Sequence, residues 1–322
     1  MKTFGIVLFI CLMQAMNISA QVVGSGRSSI HINNQRTTEV TGETVPAVQP
    51  GQVKTEPEPV ALQPEPVATQ PAPRQEIAVP EPAEVLVNVG NYYALIIGIN
   101  NYADPVIQDL DNPISDAELF YNTLISRYTF EPDNVRLLRD ATMAEMVNAL
   151  DHFAKVVTPR DNFLIFYAGH GLWNPDAEIG FWLPADAQRN STLNWFRNST
   201  LRDYLRAINS KHSLLISDAC FAGGIFRTRR AFIDAPFAIN KLYDLPSRKA
   251  MTSGTLTEVP DQSAFLKYMI DRLDGNNEKY LSSEQLFSSF RIAVINNSNA
   301  IPQYGEIRDV GDEGGDFIFI RR

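Results

Sequence analysis

Residues 162–171 read NFLIFYAGHG, and residues 213–224 read SLLISDACFAGG. Each begins as a continuous apolar run, typical of a strand buried on both faces of a parallel sheet. The first run ends at His170 and the second at Cys220. Because reactive groups gather where parallel strands end, the imidazole and the thiol are predicted to share one edge of the sheet. A thiol beside a base can become a thiolate nucleophile, so the two runs indicate covalent catalysis.

Strand and helix patterns alternate from Tyr92 onward. The predicted strands are 93–99, 134–138, 162–168, 213–218, 249–254 and 317–320, and the predicted helices follow caps at Asn112, Thr142 and Ser282 or cover 201–208 and 264–273. The stretch between the His170 and Cys220 strands is otherwise expected to be loops. This alternation predicts an α/β fold in which a mostly parallel sheet carries helices on both faces.

The first 91 residues have a different character. Residues 1–20 combine Lys2, an apolar stretch of ten residues and a small-residue cleavage site ending at Ala20, which predicts a secretory signal peptide and export to the periplasm or outside the cell. The apolar stretch is shorter than a membrane span requires. Residues 21–91 hold ten of the 20 prolines, which predicts a disordered, Pro/Glu-rich tether or pro-segment before a folded domain at 92–322.

Charge and cysteine content narrow the function further. A net charge of −9 and a pI near 5.0 argue against nucleic acid as a partner and favour a basic peptide or protein. Removal of the signal peptide would take Cys11 with it and leave Cys220 as the lone cysteine, without an intramolecular disulfide. The alternative interpretation of a lone cysteine is a small buried hydrophobe. We read His31, His152 and His212 as surface or packing residues.

From Tyr92 to its end, the chain resembles the caspase-like cysteine peptidases, and among them the metacaspase and bacterial caspase-like branch. The resemblance is carried by the 94–99 strand, by Asp116-Ala117, by the 167–171 and 218–220 motifs, by Thr252-Ser253-Gly254, and by the 50-residue separation of His170 from Cys220. It implies a large-subunit-like part at 92–226, an inter-subunit loop at 227–248 and a small-subunit-like part at 249–322. It also implies that His170 and Cys220 form a dyad that hydrolyses peptide bonds, and the backbone N–H groups of Gly171 and Cys220 are candidates to stabilise the oxyanion.

The resemblance also suggests a preference for basic substrates. In metacaspase-like relatives, acids at the positions of Asp116 and Asp218 line a pocket for Arg or Lys, and Ser253 is assigned to substrate binding with them. Without the resemblance, Asp116 is a charge in a first helical turn and Asp218 an ordinary acid at a strand end. Glu258 and Asp261 are further candidates for the pocket. The alternatives left open are a catalytically idle binding domain, an Asp-specific peptidase and a peptide ligase using the same intermediate.

The segment after Cys220 supports two more expectations. Arg227, Arg229 and Arg230 are candidates for self-cleavage if the enzyme prefers basic residues, and otherwise belong to a solvated charged loop. Many metacaspases bind calcium through several aspartates, but Arg227 stands where such an aspartate is expected, leaving Asp176 and Asp186 as the remaining oxygen ligands. We therefore expect no cofactor, and no zinc or phosphate-binding motif occurs in the sequence.

Overall fold

The computed structural model describes residues 89–174, 176–219, 225–227, 239–254 and 263–322. The predicted signal peptide and nearly all of the predicted tether therefore lie outside the described residues. So do five individual candidates, which are Cys220, Arg229, Arg230, Glu258 and Asp261.

A central sheet organises the part of the chain that the structure describes. Its seven strands there are β1 (Tyr92–Gly98), β2 (Val135–Arg139), β3 (Asn162–Ala168), β7 (His212–Asp218), β8 (Phe226–Arg227), β9 (Ser247–Thr252) and β11 (Gln303–Ile307). Their spatial order is β2-β1-β3-β7-β9-β11-β8. The first five strands in this order are parallel, and β11 is antiparallel to both β9 and β8. The predicted α/β fold with a mostly parallel sheet is confirmed.

Helices cover both faces of this sheet. They are α1 (Pro113–Arg127), α2 (Met143–Val156), α3 (Asn198–Ala207), α4 (Ile239–Asp244), α5 (Ala264–Gly275) and α6 (Ser283–Asn297). Side chains alternate along a strand, so Ala94 and Ile96 of β1 join the core beneath α1, α5 and α6, whereas Leu95 and Ile97 join the core beneath α2 and α3. Every residue of β3 and β7 is buried, which explains the apolar runs 163–168 and 214–216 within them.

Two of the three predicted helix caps are confirmed. Thr142 forms a capping box at the start of α2, and Ser282 forms one at the start of α6. Asn112 occupies the N-cap position of α1 with Pro113 next to it, as expected, but its side chain makes no cap hydrogen bond. Asn100 takes this role from a distance in sequence, since its Oδ1 accepts the N–H of Ile114 at 2.8 Å.

The stretch after His170 differs most from expectation. Where loops were predicted, β4 (Gly171–Asn174), β5 (Ile179–Trp182) and β6 (Phe196–Arg197) form a small antiparallel sheet. A second small sheet pairs β10 (Tyr280–Ser282) with β12 (Ile318–Ile320). Within the described ranges, every helix is too short or too polar to cross a membrane.

Candidate active site

The register between β3 and β7 decides the geometry of the site. These neighbouring strands are parallel, and Ala168 at the end of β3 lies opposite Asp218 at the end of β7. His170 follows Ala168 by two residues, and Cys220 follows Asp218 by the same number. The structure therefore brings the two motif-bearing strand ends side by side at the carboxyl edge, although Cys220 itself lies outside the described residues.

The imidazole of His170 is oriented by a main-chain carbonyl. Its Nε2 lies 2.8 Å from the oxygen of Gln108, in the loop between β1 and α1. A carbonyl oxygen only accepts hydrogen bonds, so we assign the hydrogen to Nε2. In the neutral ring, Nδ1 then carries the lone pair and is the nitrogen able to take a proton.

Two tyrosines fix the backbone of His170. The N–H of His170 donates to Tyr102 Oη at 2.9 Å, and Tyr167 Oη donates to the His170 carbonyl at 2.7 Å. The Tyr102 ring centroid also lies 5.0 Å from that of the imidazole. Burial raises the pKa of both tyrosines well above the usual value, so their hydroxyls stay neutral at physiological pH.

The stretch on either side of His170 is tightly packed. Tyr167 stacks on Trp182 of β5 with ring centroids 4.4 Å apart, and Trp182 Nε1 donates to Ser217 Oγ of β7 at 3.1 Å. Gly169 has φ of 154°, and a Cβ there would lie 2.8 Å from Tyr167 Oη. Glycine is therefore required immediately before His170. Gly171, the predicted oxyanion donor, is buried as the first residue of β4 and pairs with Trp182.

Asp218 ends β7 as a buried carboxyl group, with 4% of its surface exposed. Burial raises its pKa, and the nearby Ser263 and Ser253 hydroxyls partly oppose that rise. Among the described residues, its Oδ1 has no hydrogen-bond partner, and neither do the hydroxyls of Thr252 and Ser253 at the end of β9.

Asp218 and Ser253 form a pair of polar groups on one face of the sheet, here called the Asp218 cluster, whereas Thr252 is paired with Ser217 and lies on the other face. The ends of β7 and β9 are adjacent, since Ser253 N donates to the Ser217 carbonyl at 3.1 Å. Buried polar atoms normally find partners, so acceptors left open within the described chain suit a ligand that donates hydrogen bonds. A cationic side chain would supply such donors together with opposite charge.

The remaining predicted residues lie outside the Asp218 cluster. Asp116 is half-buried in the first turn of α1, whose start packs against the carboxyl end of β1, at the edge that carries His170. Arg227 lies in β8, where its backbone pairs with Glu306 of β11. His152 is exposed on α2, and His212 is fully buried at the start of β7, as a packing residue.

The two candidate calcium ligands have different surroundings. Asp186 accepts hydrogen bonds from Met143 N at 2.8 Å and Asn194 Nδ2 at 3.0 Å, while Asp176 is exposed. In the described part of the chain, no group of three or more His, Cys, Asp or Glu residues is arranged to hold a metal ion.

Sequence reasoning missed Tyr102 and Gln108. Gln108 acts through its main-chain oxygen, so its residue type carries no signal. Tyr102 lies in an irregular loop, and only its position just beyond β1 could have suggested a place near the site.

A parallel sheet that ends in a carbonyl-oriented histidine, beside a strand leading to a cysteine, defines a domain of the caspase type. In agreement, a family model described as the caspase domain matches residues 91–306. The chain belongs to this family of cysteine peptidases.

Curated relatives are more distant and match only in part. The chain is 32% identical to metacaspase-1 of Eremothecium gossypii over 90 residues, which covers 26% of this chain and 20% of the relative. For metacaspase-1 of Saccharomyces cerevisiae the identity is 29% over 106 residues, covering 30% and 24% respectively. The alignments thus span about a fifth to a quarter of the relatives' length. A crystal structure of a Geobacter sulfurreducens protein has 18% identity and a TM-score of 0.49, covering 71% of this chain and all of that one.

Proposed function

We propose that the protein is an endopeptidase that cleaves after Arg or Lys through a Cys220–His170 dyad. The observation that carries this proposal is the register of β3 on β7, which sets the ends of the two motif strands opposite each other. Membership of the caspase-domain family supports peptide bonds as the substrate class.

In the proposed reaction, His170 Nδ1 takes the proton of the Cys220 thiol, and the thiolate attacks the substrate carbonyl carbon. The carbonyl π electrons move to oxygen, where the N–H groups of Gly171 and Cys220 stabilise the negative charge. As the tetrahedral intermediate collapses, the C–N bond breaks and the imidazolium gives its proton to the leaving amine. Water then loses a proton to the same imidazole and adds to the thioester carbon; the C–S bond breaks, the imidazolium returns its proton to the Cys220 sulfur, and the acid product leaves and ionises to a carboxylate.

The preference for basic residues is supported by the Asp218 cluster. Its carboxylate retains an acceptor atom without a partner in the described chain, and the neighbouring Ser253 hydroxyl offers an additional acceptor. An Arg or Lys side chain would donate to these atoms and neutralise a charge that burial makes unfavourable. We assign Asp116 to the rim of the same pocket because α1 begins at this edge of the sheet.

Hydrolysis of fluorogenic peptides ending in Arg, Lys or Asp tests both parts of the proposal. We expect cleavage after Arg and Lys, loss of cleavage in Cys220→Ala and His170→Gln, and selective loss of basic substrates in Asp218→Asn. Preferential cleavage after Asp would refute the role of Asp218. Undiminished cleavage by Cys220→Ala would refute the dyad.

Two further proposals concern the location of the enzyme and its own processing. We propose that it is exported by its N-terminal signal peptide and cleaves itself after Arg229 or Arg230. The backbone of Arg227 is paired in β8, which makes it a poorer extended substrate. Gel comparison of the wild type with Cys220→Ala tests self-cleavage, because identical fragments, or no fragments in either protein, contradict it.

A further inference from the structure

Asp140 anchors the loop that contacts His170. It follows β2 directly and has φ of 45°, in the left-handed region that Asp tolerates better than most residues. Its N–H donates to the Gly98 carbonyl at the end of β1, at 2.9 Å. Asp140 is thereby fixed at the carboxyl edge of the sheet, beside the start of the loop 99–112.

Both carboxylate oxygens of Asp140 bind the beginning of this loop. Oδ1 accepts the backbone N–H groups of Asn100 at 2.7 Å and Asn101 at 2.9 Å, and Oδ2 accepts Asn101 Nδ2 at 2.6 Å. Only a carboxylate offers acceptors on both atoms. An amide at position 140 keeps its oxygen for the two backbone N–H groups but puts an NH₂ group beside Asn101 Nδ2, so the third contact survives only if the Asn101 amide turns over.

Hydrogen bonds link the part of the loop that Asp140 binds to His170. The N–H of Leu110 donates to the Asn100 carbonyl at 2.8 Å, which returns the far side of the loop to the residue that Asp140 holds. Between these two points lie Tyr102, whose hydroxyl accepts the His170 N–H, and Gln108, whose carbonyl accepts from Nε2. A shift of the loop would therefore move both partners of His170 together.

We propose that Asp140 is a positioning residue that keeps His170 in its Nε2–H tautomer by holding the loop 99–112 in place. This inference rests on the proposed function, since it supplies the free Nδ1 that the dyad requires. The tautomer itself can be observed without any substrate.

The test is ¹⁵N–¹H NMR of the histidine rings in the full chain at pH 8, with the His170 signals assigned by comparison with His170→Gln. We expect the Nε2–H tautomer in the wild type and at least a roughly threefold larger Nδ1–H fraction in Asp140→Asn. The kcat/KM of Asp140→Asn for Arg peptides should fall by about 10- to 100-fold, as expected for a misplaced catalytic group.

Asp161→Asn is the matched control. Asp161 also accepts three hydrogen bonds, from Asn91 N at 2.8 Å and from Thr158 N and Oγ1 at 2.8 and 2.6 Å, but it lies at the amino end of β3. Its substitution should lower stability and leave the His170 tautomer unchanged. Asn101→Ala removes only the exposed 2.6 Å contact and should raise the Nδ1–H fraction of His170 by less than Asp140→Asn does. It provides the test if Asp140→Asn fails to fold.

An unchanged tautomer in Asp140→Asn overturns the inference. So does an equal change in Asp161→Asn, or an unchanged tautomer in Asn101→Ala where Asp140→Asn does not fold. If the tautomer responds as expected while the wild type cleaves no peptide, the proposed function is wrong and the positioning role of Asp140 stands.

Discussion

Acid should destabilise this fold through a histidine far from the candidate active site. His212 begins β7 with none of its surface exposed. Its Nδ1 lies 2.9 Å from Ser247 Oγ, and its Nε2 donates to the Tyr243 carbonyl at 3.0 Å. Burial first, and then the positive charge of Lys211, lower the pKa of His212 to about 3.

The magnitude follows from linkage between protonation and folding. In the unfolded chain His212 takes a proton below its ordinary pKa of 6.5, whereas in the folded protein it stays neutral down to a pKa of about 3. Between these values the unfolded state binds more protons, so the free energy of unfolding falls as the pH falls. The slope is about 1.4 kcal/mol per pH unit, which amounts to roughly 2.7 kcal/mol at pH 4.5.

Urea unfolding of the wild type and His212→Gln between pH 7 and 4.5 measures this effect. Glutamine retains a donor for the Tyr243 carbonyl and does not titrate, so the stability difference between the two proteins should shift by roughly 2.7 kcal/mol in favour of the variant. Acidic groups contribute equally to both proteins and cancel. His152→Gln, on the exposed face of α2, is the control without such a shift. A difference that stays constant across this pH range would refute the reasoning.

Three further predictions concern the site. Gly169→Ala should destabilise the protein by about 2 kcal/mol and lower kcat/KM at least about tenfold, because the added Cβ meets Tyr167 Oη. The control is Gly275→Ala, whose added Cβ would meet no atom within 4 Å. This control should change the free energy of unfolding in urea by less than about 0.5 kcal/mol. Asp218→Asn should raise the unfolding midpoint in urea, since it removes a carboxylate whose pKa burial raises, and it should abolish cleavage after Arg. In the wild type, kcat/KM for Arg peptides should fall as the pH is lowered through the raised pKa of Asp218. Addition of EDTA should leave peptide hydrolysis unchanged, because Asp186 is engaged by Met143 and Asn194; a loss that calcium restores would contradict this.

The sequence predicted the centre of the fold better than its periphery. Strands β3 and β7 are buried on both faces, so their apolar runs stand out, and the capping boxes at Thr142 and Ser282 have a local signature. Among the residues that the structure describes, strands β4 to β6 are short and pair with one another outside the central sheet, and β11 reads QYGEI, which has little apolar character. Their structure depends on neighbours distant in sequence, which a local pattern does not reveal.

The candidate site divides along similar lines. His170 could be found because it follows a buried strand, and Asp218 because it belongs to the motif that contains the cysteine. The contact with Gln108 could not be predicted, since any residue offers a carbonyl oxygen. The conformation of its loop also depends on Asp140, some 30 residues further along the chain. Asn100 shows the same limit, because it replaces the expected local cap of α1 from outside the helix.

The pairing of Ala168 with Asp218 makes the length of chain between the two motifs incidental. The small sheet β4–β6 and helix α3 lie in that interval, and the loops that connect them could be lengthened without changing which residues emerge where β3 and β7 end. A single-residue deletion inside either strand would instead exchange inward and outward side chains and retract the motif from the rim. Insertions used to retune such an enzyme therefore belong in the interval and never within the two strands.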